Sequence, residues 1–213
     1  MRKFSVLIAC LCLMSCAAPY KIANRDDYLA EATRIYPSEQ KERVIRAAET
    51  IIKISDPDDV DMRYVNNGFT ALRRYVVYAV IASAAGQERW VFQTEEKDKA
   101  IEASLSISEG GRSYGGYTSQ PYEAAMNSIP LYRLFWKRMD YMLGRRPDWV
   151  TCDQEGDLIT KAGGSPTNSL GGLCGPTSQG RDSVPEPMPK VAITASEKAS
   201  SDRDRNRLRQ IGR

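Results

Sequence analysis

Five cysteines and no histidine set the chemistry that this chain can attempt. Without imidazole, serine–histidine and cysteine–histidine catalysis, histidine metal sites and the usual general base near neutral pH are excluded. Cys10, Cys12 and Cys16 fall in or at the end of an apolar amino-terminal stretch, which leaves Cys152 and Cys174 for the body of the protein. In an oxidising compartment such a pair most often forms a disulfide, and closing a loop of about 20 residues contributes ~3 kcal/mol in the chain-entropy model. Pairing between molecules and free thiols are the alternatives. A catalytic thiol is not expected, since no imidazole is present to activate it.

Other reactive groupings are weaker. Arg73 and Arg74 are neighbours in a stretch with strand character, so they leave the backbone on opposite faces and one must lie on the core side or at its rim. An anion or carboxylate site is the functional reading; snorkelling along the sheet edge is the structural one. Asp56, Asp58, Asp59 and Asp61 suggest a calcium loop, but the glycine and glutamate that an EF-hand needs at its sixth and twelfth positions are missing. A helix-ending turn with solvated charges explains them. Gly110 to Tyr117 is glycine-rich without the spacing or the Gly-Lys-Ser/Thr ending of a phosphate cradle. It reads as a loop whose Tyr114 and Tyr117 could bind a partner or stack on a glycan. Tyr132, Trp136 and Tyr141 could line a pocket, although core packing with interfacial tips is the commoner role for such residues. No metal or other cofactor is expected.

The formal charge of +3 loses two units with Arg2 and Lys3 if the first fifteen residues are removed, leaving about +1. A charge so close to zero creates no field for gathering a polyanion, and no nucleic acid partner is expected.

The amino terminus reads as an address. Arg2 and Lys3 form a positive head, and Phe4 to Met14 is an apolar run of signal-peptide length. It is too short to cross ~30 Å of hydrocarbon as a permanent helix. Leu13-Met14-Ser15-Cys16 resembles the lipobox of bacterial lipoproteins. The resemblance covers the first sixteen residues. It implies diacylglycerol on the Cys16 sulfur, cleavage between Ser15 and Cys16, and often an acyl chain on the new amino terminus. An ordinary signal peptide cut nearby is the alternative. Ala17, where an aspartate would signal inner-membrane retention, implies the periplasmic face of the outer membrane. In a cell without an outer membrane, the same anchor implies the cell membrane.

Hydrophobic periodicity supplies the elements. Tyr28, Leu29, Ala32 and Ile35 have loose helical spacing that stops at Pro37. Ser38 is a suitable N-cap for an amphipathic helix bearing Val44, Ala47, Ala48, Ile51 and Ile52, which Asp56-Pro57 ends. The period then becomes two. Strands are expected at Val60 to Val65, from Phe69 to about Ser83, at Gln87 to Thr94, and through the alternation of Ile101, Ala103, Leu105 and Ile107. Asn67-Gly68 predicts a type I′ hairpin turn and Gly86 a break. Residues 110–127 read as loop, and a last amphipathic helix begins near Ser128 and ends at Gly144. From Thr151 onward apolar periodicity disappears.

The expected fold is α+β: a four-stranded antiparallel meander packed against two amphipathic helices, with a disordered C-terminal tail. The expected organisation is a signal peptide at 1–15, a lipidated tether and short helix at 16–37, an α+β domain at 38–151, and a mostly disordered tail at 152–213. The region from Tyr28 to Cys152 also resembles a group of uncharacterised proteobacterial lipoproteins, through Val44–Ile54, Asn67-Gly68-Phe69-Thr70-Ala71, Trp90-Val91, Leu131-Tyr132-Arg133-Leu134-Phe135-Trp136 and Asp148-Trp149. That resemblance implies a discrete exported domain. The expected function is that of a lipid-anchored, non-catalytic adaptor or assembly component of the cell envelope, held to the membrane through Cys16 and joined to other envelope proteins. A periplasmic ligand- or glycan-binding module is the alternative.

Overall fold

A computed structural model describes residues 25–79, 82–115, 118–175, 178 and 183–189. It is an α+β arrangement in which one antiparallel sheet carries helices on a single face. The elements run α1 (Arg25–Glu31), β1 (Thr33–Pro37), α2 (Lys41–Ser55), β2 (Val60–Val65), β3 (Gly68–Ala79), β4 (Ala82–Lys97), β5 (Ala100–Gly115), β6 (Thr118–Ala125), α3 (Ile129–Met142), α4 (Cys152–Lys161) and α5 (Pro166–Cys174).

β2 to β5 form the expected meander, but the sheet has six strands. Its order is β1-β5-β4-β3-β2, with β6 also paired to β5. β1 takes the first half of the free edge of β5, opposite Ala100 to Ser104, and β6 takes the second half, opposite Ser108 to Gly115. Ile35, expected in a helix, therefore lies in a strand. The 110–127 segment, expected as loop, continues one strand and supplies another.

Glycine misleads here because a glycine inside a wide sheet has its backbone satisfied on both sides. Tyr75, Gly86, Gly111 and Tyr122 form one row across β3, β4, β5 and β6. A Cβ on Gly86 would lie 2.5 Å from the Tyr75 ring, and one on Gly111 would lie 2.4 Å from the Ala85 carbonyl oxygen. These glycines make room for tyrosines rather than ending strands.

Two turns also differ from expectation. The β2–β3 turn is Asn66-Asn67 with no positive φ at either residue, so it is not type I′. Gly68 is already the first residue of β3, where a Cβ would come within 2.0 Å of the Phe92 carbonyl oxygen. Ser38 does not cap α2. It adopts φ +59° and donates its backbone N–H to the Lys99 carbonyl, turning the chain out of β1, and Gln40 takes the N-cap position.

The core lies between sheet and helices. Phe69 and Ala71, Trp90 and Phe92, and Ala103, Leu105 and Ile107 alternate inward. They meet Val44, Ala48, Ile51 and Ile52 of α2 and Leu131, Leu134, Phe135 and Trp136 of α3, all at most 1% exposed. Each such large side chain contributes ~1.5–3 kcal/mol. Tyr132, Trp136 and Tyr141 belong to this core: Tyr132 accepts the Ile107 N–H, and Trp136 donates to the Glu31 carbonyl.

Residues 152–174, expected in a disordered tail, form α4 and α5. Thr151 and Gln154 build a capping box at the start of α4, satisfying donors that no hydrophobic pattern would reveal. Residues 183–189 lie against the domain, with the Met188 N–H donating to Met142 and the Tyr141 hydroxyl donating to the Pro185 carbonyl. No helix among the described residues is long and apolar enough to cross a membrane.

Candidate functional site

Along the inward face of the sheet, the side chains change from apolar to charged. Phe69 and Ala71 are followed on β3 by Arg73 and Tyr75; Phe92 and Trp90 are preceded on β4 by Glu88 and Gly86. Arg73, Glu88 and Glu109 occupy one row, paired strand to strand. The row beyond it is Tyr75, Gly86, Gly111 and Tyr122.

Arg73 is 1% exposed and clamped between two carboxylates. Its Nε donates to Asp56 Oδ2 at 2.6 Å, its Nη1 lies 3.4 Å from Glu88 Oε2, and its Nη2 donates to Ser178 Oγ at 3.3 Å. Trp90 Nε1 also donates to Glu88 Oε2. Burial raises the Glu88 pKa above its ordinary value of 4.5, Arg73 opposes that, and nearby Glu109 adds to it. Asp56, expected in a solvated turn, is sealed in this cluster, and its Oδ1 finds no partner among the described residues.

The lid over this cluster is α5. A Cβ on Gly172 would stand 1.9 Å from Glu88 Oε2 and 3.0 Å from Arg73 Nη1. Gly172→Ala is therefore expected to lift α5 or displace the ion pair, at a cost of ~1–3 kcal/mol in a urea titration. An unchanged midpoint would mean that the helix does not sit so closely.

Glu109, on the same face, turns its carboxylate toward the tyrosine row. Its Oε1 accepts hydrogen bonds from the Tyr75 and Tyr122 hydroxyls, which are themselves 2.9 Å apart. Burial, and then the Glu109 hydrogen bond, push the Tyr75 pKa far up, so this phenol stays protonated and donating. Glu109 also lines a cleft of about 520 Å³ formed by the 124–128 segment, the 163–165 linker between α4 and α5, and Ser169.

The candidate residues read from sequence separate. Arg73 enters the buried cluster, whereas Arg74 is exposed on the opposite face. Arg73 is thus a structural counter-ion to carboxylates and does not snorkel. Tyr114 lies in β5 but its side chain falls outside the described residues, as do Tyr117, Ser15 and Cys16. Cys152 and Cys174 are joined by a disulfide that ties the start of α4 to the end of α5. Arg138 packs beside it, with Nη2 3.3 Å from Cys152 Sγ and its guanidinium 4.6 Å from the centre of the Trp149 ring. Among the described residues, no group of three or more acidic, cysteine or histidine side chains could hold a metal ion.

Glu88, Glu109, Tyr75 and Tyr122 were not singled out from the sequence. A signal existed for one of them: Glu88 shares the parity of Trp90 and Phe92, so an inward Trp90 requires an inward carboxylate. The others depended on continuing strands through glycines.

The chain matches no protein-family model, no curated protein and no solved structure.

Proposed function

We propose that this is a lipid-anchored cell-envelope protein whose exported domain is a non-catalytic adaptor or assembly component. The observation that carries the proposal is Leu13-Met14-Ser15-Cys16, standing behind a basic head and an apolar run of export length. The Cys152–Cys174 disulfide supports the same reading, since such bonds persist in oxidising compartments and are rare in the cytosol. Acyl chains on Cys16 would hold the protein by ~0.8 kcal/mol per buried methylene, and two or three chains make that attachment persistent. Ala17 after the modified cysteine favours the periplasmic face of the outer membrane.

The test is a Cys16→Ser variant expressed in its native host with radiolabelled fatty acid. Wild type is expected to carry label and sediment with membranes. The variant is expected to lose the label and leave the membrane fraction. A natural product that begins at Met1, or bears no acyl group, overturns the proposal.

A second reading, a ligand-binding module, is favoured by one observation. The cleft beside β6 is of small-molecule size and has a carboxylate in its wall.

A further inference from the structure

We propose that the cleft at Glu109 is a binding site for a small organic amine. The inference rests on the ligand-binding reading and names the chemistry of the ligand.

The argument begins with charge. Among the described residues the cation of the inward charged row is Arg73, and its guanidinium is turned to Asp56, Glu88 and Ser178. Glu109, next in the row, has no ion-pair partner among the described residues. Its carboxylate is nonetheless held in place: both phenolic donors converge on Oε1. Oε2 accepts no hydrogen bond among the described residues and is not one of the sealed, partnerless atoms. A fixed carboxylate oxygen without a counter-ion, in the wall of a cleft, calls for a donor that carries positive charge.

The rest of the cleft sets the remainder of the ligand. Ala124, Ala125 and Met126 contribute apolar lining, while Asn127 and Ser165 supply polar groups. An ammonium group with a short apolar body satisfies both halves. An anion would meet Glu109, with Glu88 as its cross-strand neighbour. A neutral sugar would leave the carboxylate without a counter-ion. A hard divalent cation wants six or more oxygen ligands and would find a single carboxylate in this wall.

Pre-organisation strengthens the case. Gly86 and Gly111 allow Tyr75 and Tyr122 to lie over the sheet and meet at Glu109, so the acceptor is oriented before any ligand arrives.

Met126 provides a reporter at the site. The mature chain, labelled with ¹³C-methyl methionine in detergent micelles, would be titrated separately with n-butylammonium chloride, sodium butyrate, glucose and sodium chloride. n-Butylammonium is expected to shift the Met126 methyl resonance saturably in the millimolar range, while the other three leave it in place. Glu109→Gln is expected to weaken that response about tenfold or more, with the core methyls of Met62 and Met139 unmoved as evidence that the fold survives. Glu109→Asp, which keeps the charge but shortens the side chain, provides a second variant if the glutamine form does not fold, and it too is expected to bind more weakly. Saturation by butyrate or glucose but not by the amine would overturn the amine assignment and leave the ligand-binding reading standing. No saturation by any of them would overturn both. An amine response unaltered in either variant would remove Glu109 from the site and sink the proposal.

Discussion

Replacing Arg73 with methionine is expected to destabilise the folded protein by about 3–5 kcal/mol, as a fall in the midpoint of urea unfolding. Methionine keeps much of the length and apolar stem of arginine, so the loss would come from charge. In the native state the guanidinium faces Asp56 and Glu88, and the side chains of all three are at most 6% exposed. Removing it strands two carboxylates away from water. Each must then either stay ionised without a counter-ion or take up a proton, and both alternatives cost free energy at neutral pH.

The pH dependence follows in sign. Burial already raises the pKa of Glu88, with Arg73 as the leading opposing influence. A carboxyl group whose folded pKa lies above its unfolded one contributes stability below the unfolded value of 4.5, and that contribution is lost as pH rises through the raised folded value. Without Arg73 the upward shift grows. The deficit of Arg73→Met relative to wild type is therefore largest at neutral pH and narrows as the solution is acidified. Adding Glu88→Gln to the variant is expected to recover part of the loss, because one of the stranded charges is gone. A deficit below about 1 kcal/mol, typical of solvent-exposed pairs, would mean that water reaches the cluster.

Removing the disulfide has the second large effect. Cys152→Ala with Cys174→Ala is expected to cost about 3 kcal/mol, from the entropy regained by the unfolded chain when a loop with a sequence separation of 22 is released. The loss should also be local. α4 and α5 bury few large apolar side chains, chiefly Ile159, Leu170 and Leu173. The sheet core, by contrast, holds Phe69, Trp90, Phe92, Phe135 and Trp136. In hydrogen exchange the amides of Ala162, Gly164 and Ser169 are thus expected to lose protection, while those of Phe92 and Leu105 keep theirs. Because Gly172 of α5 sits against Glu88, opening this region would also admit water to the Arg73 cluster. Reduction of the wild-type disulfide should reproduce the exchange pattern. Uniform loss of protection would show that the two helices are integral to global folding.

Much of the architecture was legible because its core is periodic. α2 and α3 carry apolar stripes at helical spacing, and β2 to β5 alternate, so both could be located from residue types alone. The errors share a cause. Local propensity misplaces Ile35, Gly110 and Gly111: Ile35 lies in a strand because the edge of β5 needs partners, and the two glycines lie within β5 because β4 and β6 pair it on both sides. Likewise α4 has few apolar residues, and a capping box and a disulfide compensate for that.

The candidate site was less legible for a related reason. Arg73 could be placed on the core side or Arg74 could, because two adjacent strand residues always face opposite ways. Which of them turned inward depended on register, and register depended on which residues met Trp90 and Phe92. Glu109 met Tyr75 and Tyr122 only through pairing across β3, β4, β5 and β6, at sequence separations of 34 and 13 residues.

By itself the sequence determined what is local: the absence of imidazole chemistry, the export-like amino terminus, the periods of helix and strand, and two cysteines in the body of the chain. Tertiary structure alone decided which arginine became the buried counter-ion, that glycines would serve as floor for tyrosines, and that a carboxylate would stand in a cleft without a counter-ion among the described residues. The physical reason is that periodicity acts over a few residues, whereas the pairing of distant strands sets which side chains must share a low-dielectric interior.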